Sequence, residues 1–125
     1  MPKLATFPKA ELDDLVRGSM RLSEYLNFAS LLDVDGVELY PLISDLKEPG
    51  SWGDYRKICH DMGLEIPMLC CSPDFTHPDP DFRAHEIEKE KQWIEMAHAL
   101  GASFCRVLSG QRRPEVSRQE GIDLA

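Results

Sequence analysis

The stretch AHALGASFCRVL (residues 97–108) decides the fold, because it joins the end of a helix to an apolar strand through a single glycine. The same arrangement occurs twice earlier in the chain, at Gly36 and at Gly63, and an apolar segment follows each glycine within one or two residues. Helices alternating with strands at this spacing indicate βαβ units, a parallel sheet and right-handed crossovers. The sequence therefore predicts an α/β fold.

The remaining elements follow from local patterns of apolar and polar residues. Four strands are predicted, over residues 4–7, 37–40, 64–72 and 102–108. Three full helices are predicted between them, over residues 22–32, 51–62 and 80–100, with Ser51 as the N-cap of the second. A brief helical turn is expected over 11–16. A capping box formed by Ser117 and Glu120 begins one more helix, which runs to Ala125.

The helix at residues 80–100 has the strongest sequence signals. Asp79 is placed to cap it, with Pro80 at its first position, and Gly101 ends it. Glu86 and Lys89 are spaced for a surface pair. The side chains expected to face the core are Ile87, Ile94, Ala97 and Leu100, flanked by Trp93 and Met96.

Composition limits the classes of function. At 125 residues the chain has the length of one domain, and its net charge of -8 argues against a protein whose main ligand is nucleic acid. No apolar run is long enough to span a membrane, and the N-terminus has no signal-peptide core. The four cysteines lack Cys-x-x-Cys spacing, so we expect reduced thiols packed in the core of a cytoplasmic protein.

The loop between the most apolar strand and the longest helix is the first candidate for chemistry, since loops after the strands of a parallel sheet carry function. It contains Asp74 and His77. A neutral imidazole can hold a metal-bound water, bond a substrate hydroxyl or move a proton, or His77 can simply brace a loop held by Pro78 and Pro80. Asp74 either orients His77 or closes an Asx-turn.

Glu38 and Arg106 are charged residues inside apolar strands, and a buried charge needs a partner. We expect them to form a buried ion pair between alternate strands, in preference to the alternative that Arg106 binds a phosphate or carboxylate of a substrate. Further polar side chains follow the strands and are weaker candidates: Lys9, Tyr40, Ser109, Gln111, Arg112 and Arg113.

Three stretches resemble the xylose isomerase-like TIM barrels, a group of sugar-phosphate isomerases and epimerases that also includes apurinic endonucleases. They are DVDGVELY (33–40), DFTHPDP (74–80) and AHALGASFCRVLSGQ (97–111). The resemblance implies a (β/α)8 barrel of which residues 1–125 supply roughly the first half, as the apparently truncated N-terminal part of one domain. It also implies a divalent metal ion (Mn, Mg or Zn), with Glu, Asp, His and Glu ligands from later strands that this chain does not contain.

The expected function is accordingly a metal-dependent sugar or sugar-phosphate isomerase or epimerase, acting by proton transfer next to a carbonyl. This half would supply substrate-binding residues, His77, Asp74, Glu38 and Arg106, for a sugar or polyol, and would be inactive alone. One alternative is a non-catalytic half-barrel, a binding or assembly module that closes its sheet by pairing with itself or with a second chain. An abasic-site endonuclease relative is less favoured because of the negative charge.

Overall fold

The structure, a computed structural model, describes residues 1–125. Its strands are β1 (Ala5–Thr6), β2 (Gly36–Val37), β3 (Met68–Leu69) and β4 (Phe104–Cys105). Its helices are α1 (Leu12–Arg17), α2 (Leu22–Ser30), α3 (Ser51–Asp61), α4 (Pro80–Leu100) and α5 (Arg118–Leu124), with a 3₁₀ turn at Ser44–Leu46. The predicted α/β order is confirmed, although the regular strand pairing covers fewer residues than the apolar runs predicted.

The four strands lie side by side in chain order and are all parallel. β1 pairs with β2 and β3 pairs with β4, while single bridges from Gly36 to Glu65 and from Leu39 to Leu69 join the two pairs. The backbone at Gly36 lies so close to the segment before β3 that an added Cβ would be 2.7 Å from the Glu65 carbonyl oxygen. A parallel sheet in this order, with helices in the connections, is consistent with part of a TIM barrel.

The core lies between one face of the sheet and the helices. It contains 19 buried residues, among them Val37, Leu39 and Leu69 from the strands and Tyr25 and Leu26 from α2. Successive side chains of a strand point to opposite faces. Glu38, between Val37 and Leu39, is therefore directed to the other face, which would be the interior of a barrel.

The buried face of α4 differs from the predicted one. Ile87 and Ile94 are 46% and 50% exposed, so the prediction that they face the core is wrong. Glu86 and Glu90 occupy the buried face instead, together with Trp93, Met96, Ala97 and Leu100. The predicted Glu86–Lys89 pair forms, but Glu86 is buried, because its carboxylate also accepts the Asp74 backbone N–H at 3.0 Å.

Most predicted helix ends are correct. Asp79 caps α4 by accepting a backbone N–H two residues later at 2.9 Å, Gly101 ends α4 with a φ of 76°, and Ser117 heads a capping box. Ser51 is not an N-cap, because Gly50 holds that position and the Ser51 hydroxyl donates to two preceding carbonyls. None of the helices combines the length and the apolar character that crossing a bilayer requires.

Candidate functional site

A polar pocket lies at the carboxyl ends of the four strands, on the face opposite the core. Its volume is about 520 Å³, and each strand contributes a side chain at or just beyond its end. In parallel α/β proteins this end of the sheet carries the active site. The lining residues are Phe7, Lys9, Leu12, Glu38, Tyr40, Cys70, Ser72 and Arg106.

Arg106 is fixed in this pocket by neutral partners. Its Nε donates to the Cys71 carbonyl at 3.0 Å and its Nη2 donates to the Ser72 hydroxyl at 3.0 Å. The predicted ion pair with Glu38 is not formed, and no carboxylate lies within 4.0 Å of the guanidinium. The chain at the end of β3 lies between the two residues, and its Cys71 carbonyl and Ser72 hydroxyl accept the hydrogen bonds of Arg106. The guanidinium keeps N–H groups that no protein acceptor uses, which leaves them available to an anion.

Glu38 has a thiol as its neighbour. Its Oε2 accepts the Cys70 Sγ–H at 3.3 Å. Burial first, and then the Glu38 carboxylate, raise the pKa of Cys70 to about 12. Cys70 is therefore a protonated donor at neutral pH and not a nucleophile. The pocket offers a carboxylate, a phenol, an ammonium and a guanidinium, a set suited to a hydroxylated or anionic small molecule.

Asp74 joins the loop after β3 to the loop after β4. It is buried, its Oδ1 accepts the Gln111 backbone N–H at 3.1 Å and the Thr76 backbone N–H at 3.3 Å, and its Oδ2 pairs with Arg113. Burial alone would raise the pKa of Asp74, but the Arg113 ion pair and the backbone donors outweigh it and lower the pKa. The Asx-turn interpretation matches these contacts, and Asp74 does not orient His77.

His77 lies at the start of α4. Its ring stacks on Phe82 with the centroids 4.0 Å apart, and its Nδ1 accepts the Asp79 backbone N–H at 3.1 Å. The backbone carbonyl of His77 accepts from Arg83 at 2.7 Å. Neither His77 nor Asp74 lines the pocket that contains Glu38 and Arg106. A substrate role for either residue stays a prediction.

The polar residues after β4 form a separate groove beside α5. Ser109, Gln111 and Arg112 line it together with Thr76 and Ser117, around a volume of about 700 Å³. Arg113 also borders it, but that side chain is committed to Asp74. The strand-end candidates therefore divide into two groups. Only the group with Lys9, Glu38, Tyr40 and Arg106 reaches the pocket at the strand ends.

The pocket does not fit the divalent metal that the family resemblance implies. Glu38 is its one carboxylate, no histidine lines it, and the cation Arg106 shares the space. The sole group of three convergent candidate ligands is Cys71, Glu90 and Cys105, outside this pocket. The residues of this chain therefore cannot by themselves bind a metal ion in contact with a substrate in the pocket.

Four pocket residues were not predicted from the sequence: the apolar Phe7 and Leu12, and Cys70 and Ser72. Both vicinal cysteines were assigned to the core. The strand period separates them, because adjacent residues point to opposite faces. Cys70 faces the pocket beside Glu38, whereas Cys71 belongs to the core. The polar face could have been found from the sequence. Glu38 marks the polar side of its strand, and alternation along the next strand places Cys70, not Cys71, on that side.

A parallel α/β arrangement with polar side chains gathered at the strand ends defines a partial TIM barrel. The sequence matches the xylose isomerase-like TIM barrel family over residues 26–125, and the chain belongs to this family. None of the curated proteins is significantly similar to it.

Solved structures agree on the fold. A probable 3-DHS dehydratase, AsbF, involved in petrobactin synthesis in Bacillus anthracis, superposes with a TM-score of 0.71 at 20% identity, covering 98% of this chain and 45% of that one. A xylose isomerase domain containing protein from Salmonella typhimurium gives 0.66 at 12% identity, with 98% and 42% covered. A xylose isomerase-like TIM barrel/4-hydroxyphenylpyruvate dioxygenase fusion protein gives 0.65 at 23% identity, with 84% and 17% covered. The chain spans less than half of each.

Proposed function

We propose that this chain forms one substrate-binding wall of a metal-dependent isomerase or epimerase that acts on a sugar or sugar phosphate. The observation that carries the proposal is the Arg106 guanidinium, held in place by neutral acceptors and facing a polar pocket without a carboxylate partner. A fixed cation with unused N–H groups suits a phosphate or carboxylate.

The other pocket residues suit the rest of such a ligand. The Glu38 carboxylate accepts hydrogen bonds from sugar hydroxyls, and the Tyr40 hydroxyl both donates and accepts. Proton transfer next to a carbonyl requires in addition an acid–base pair and a metal that polarises oxygen. In the proposed enzyme these groups come from the later strands, and residues of this chain bind and orient the substrate.

A binding experiment tests the substrate class. The purified protein is titrated calorimetrically with aldoses, ketoses, their phosphates and a duplex that contains an abasic site. We expect sugar phosphates to bind, and we expect Arg106→Gln to weaken them by about tenfold or more, the loss expected for a charged hydrogen bond. Arg112→Gln, an exposed arginine outside the pocket, is the matched control. Tight binding of the abasic duplex, with no sugar bound, supports the endonuclease alternative.

A second experiment tests the chemistry. Sugars are incubated in D₂O with Mn²⁺, Mg²⁺ or Zn²⁺, and NMR follows deuterium incorporation next to the carbonyl. We expect metal-dependent incorporation with a protein that also carries later strands ending in Glu, Asp and His, and none with residues 1–125 alone. Failure of the longer protein to exchange any sugar contradicts the isomerase proposal.

A second candidate function is assembly through the open edge of the sheet. β4 pairs only with β3, and Phe104 on this edge strand is 66% exposed. Unpaired strand edges with exposed apolar side chains tend to associate. Light scattering after size exclusion distinguishes the two states: a dimer that Phe104→Glu separates supports self-association, and a monomer at high concentration contradicts it. We also propose a cytoplasmic location, which the four free thiols support, because reduced cysteines are typical of that compartment.

A further inference from the structure

Two cysteines and a glutamate meet on the core side of the sheet, away from the pocket. Cys71 follows β3, Cys105 ends β4 and Glu90 projects from the buried face of α4. The two Sγ atoms are 3.5 Å apart, and Cys105 Sγ is 3.5 Å from Glu90 Oε1. One ligand atom from each residue lies within 4.8 Å of the other two.

We propose that Cys71, Glu90 and Cys105 bind a structural Zn²⁺ ion. Tetrahedral zinc with Zn–S bonds of about 2.3 Å separates two sulfur ligands by about 3.8 Å. With a Zn–O bond of about 2.0 Å, it separates sulfur from oxygen by about 3.5 Å. The two separations seen between these side chains lie close to those values, so zinc requires little rearrangement.

An independent observation points to a missing cation. Glu90 is 5% exposed, and its Oε2 atom is buried without any hydrogen-bond partner. Of all buried side-chain nitrogen and oxygen atoms in the chain, this is the single unsatisfied one. A buried carboxylate oxygen without a partner is costly, and a bound cation would satisfy it.

The chemistry of the donors favours zinc over the harder cations. Two thiolates select Zn²⁺, whereas Mg²⁺ and Ca²⁺ prefer oxygen ligands. Binding displaces the protons of both thiols into solvent, and two thiolates with one carboxylate leave a net charge of −1 around the ion. Lys89, next to Glu90 on α4, lies over the Trp93 ring, and its ammonium is ion-paired with Glu86. A water molecule would complete the tetrahedron, because the two oxygens of one carboxylate lie too close together to fill two tetrahedral positions.

Such an ion would link two strands to the longest helix. Cys71 and Cys105 both belong to the residues packed in or against the core, and none of the three residues lines the pocket that contains Arg106. A zinc ion bound by residues from three elements would contribute to folding stability. It is also separate from any metal that later strands hold for catalysis.

The test uses the purified, reduced and metal-free protein. After zinc is added and the unbound ion is removed, we expect one zinc ion per chain by elemental analysis and a higher melting temperature than without zinc. Adding Co²⁺ in place of zinc should give an absorption band from thiolate-to-cobalt charge transfer. Cys71→Ala with Cys105→Ala should abolish all three. Glu90→Gln should weaken zinc by more than about tenfold, the loss that even indirect partners of a metal cause. Cys59→Ala, a buried thiol on α3, is the matched control and should retain binding.

Two results would overturn the proposal. One is zinc content that is unchanged in the double cysteine variant, which indicates an adventitious ion elsewhere. The other is the absence of a cobalt charge-transfer band in the unmodified protein. If the double variant does not fold, calorimetry in buffers of different ionisation enthalpy decides the question, because ligation by both thiols releases about two protons per zinc and a carboxylate or histidine site does not.

Discussion

The carboxylate of Asp74 forms an ion pair with Arg113 and so ties the loop after β3 to the loop after β4. The same carboxylate accepts the Gln111 backbone N–H at 3.1 Å, and the Asp74 backbone N–H donates to Glu86 on α4 at 3.0 Å. Three segments around the strand ends are thus held through one residue. We expect this brace to hold the loops after β3 and β4 together.

Asp74→Asn should make stability less dependent on pH. The folded pKa of Asp74 is lowered from 3.8, so its contribution is fully present above that value and is lost as pH falls through the lower folded pKa. At neutral pH we expect the variant to lose about 1–3 kcal/mol of unfolding free energy. The difference from the unmodified protein should shrink below about pH 4. Urea unfolding at a series of pH values measures the loss at neutral pH and its decrease at low pH.

Asp33→Asn is the control for this effect, because Asp33 is exposed. It should leave the unfolding free energy within about 0.5 kcal/mol at every pH. An Asp74→Asn variant whose deficit stays constant down to pH 2–3 contradicts the proposed ionised brace.

Gly110→Ala should open the contact between the same two loops. A Cβ at residue 110 would lie 2.0 Å from Thr76 Oγ1 and 2.8 Å from Asp74 Oδ1, so one loop must move. We expect a loss of about 1–3 kcal/mol, typical of forced overpacking. Faster hydrogen exchange should appear at the amides of Phe75 and Gln111, which bond across this contact.

Gly121→Ala is the matched control for the glycine experiment, since nothing lies within 4 Å of a Cβ at that position in α5. The replacement should be neutral or slightly stabilising, because alanine favours a helix over glycine. Equal effects of the two substitutions would show that the close approach at Gly110 is unimportant.

Substitutions on α4 test which of its faces is buried. Leu100 is 1% exposed and Ile94 is 50% exposed. Leu100→Ala should lower the unfolding free energy by about 2–5 kcal/mol, as cavities in cores do. Ile94→Ala should cost less than about 1 kcal/mol. Denaturant titration of both variants measures the two losses of unfolding free energy. A larger loss for Ile94→Ala than for Leu100→Ala would contradict the burial of the Leu100 face of α4.

Asp79→Ala tests the start of the same helix. Its side chain accepts the Asp81 backbone N–H at 2.9 Å, and loss of an N-cap typically costs about 1 kcal/mol. The exposed mid-helix substitution His85→Ala should have no comparable effect. A stability unchanged by Asp79→Ala would indicate that Pro80 alone is sufficient to begin the helix.

The order of elements could be predicted from sequence because local chemistry determines it. Gly101 ends a helix and Asp79 begins one wherever the rest of the fold lies. The buried face of α4 could not be predicted by hydrophobicity, because Glu86 and Glu90 are buried through contacts with Asp74 and Cys105, which are distant in sequence. Long-range partners, and not local pattern, determine that face.

The candidate site was predictable to a similar extent. Glu38 and Arg106 were identified as charges in apolar strands, and both reach the pocket. The predicted ion pair between them does not form, because Arg106 instead bonds the Cys71 carbonyl and the Ser72 hydroxyl at the end of β3. The contribution of Ser72 to holding Arg106 is a contact between strands that spacing along the chain does not reveal.

The most direct test of the central claim is an NMR titration that follows the Arg106 Nε–H signal and the backbone amides of the uniformly labelled protein as a sugar phosphate is added. We expect the signals of Arg106, Glu38, Tyr40 and Ser72 to shift together and saturate, and those of Arg112 in the groove beside α5 to stay unchanged. Shifts confined to that groove, with the Arg106 signal unchanged, would contradict a substrate-binding wall at the strand ends.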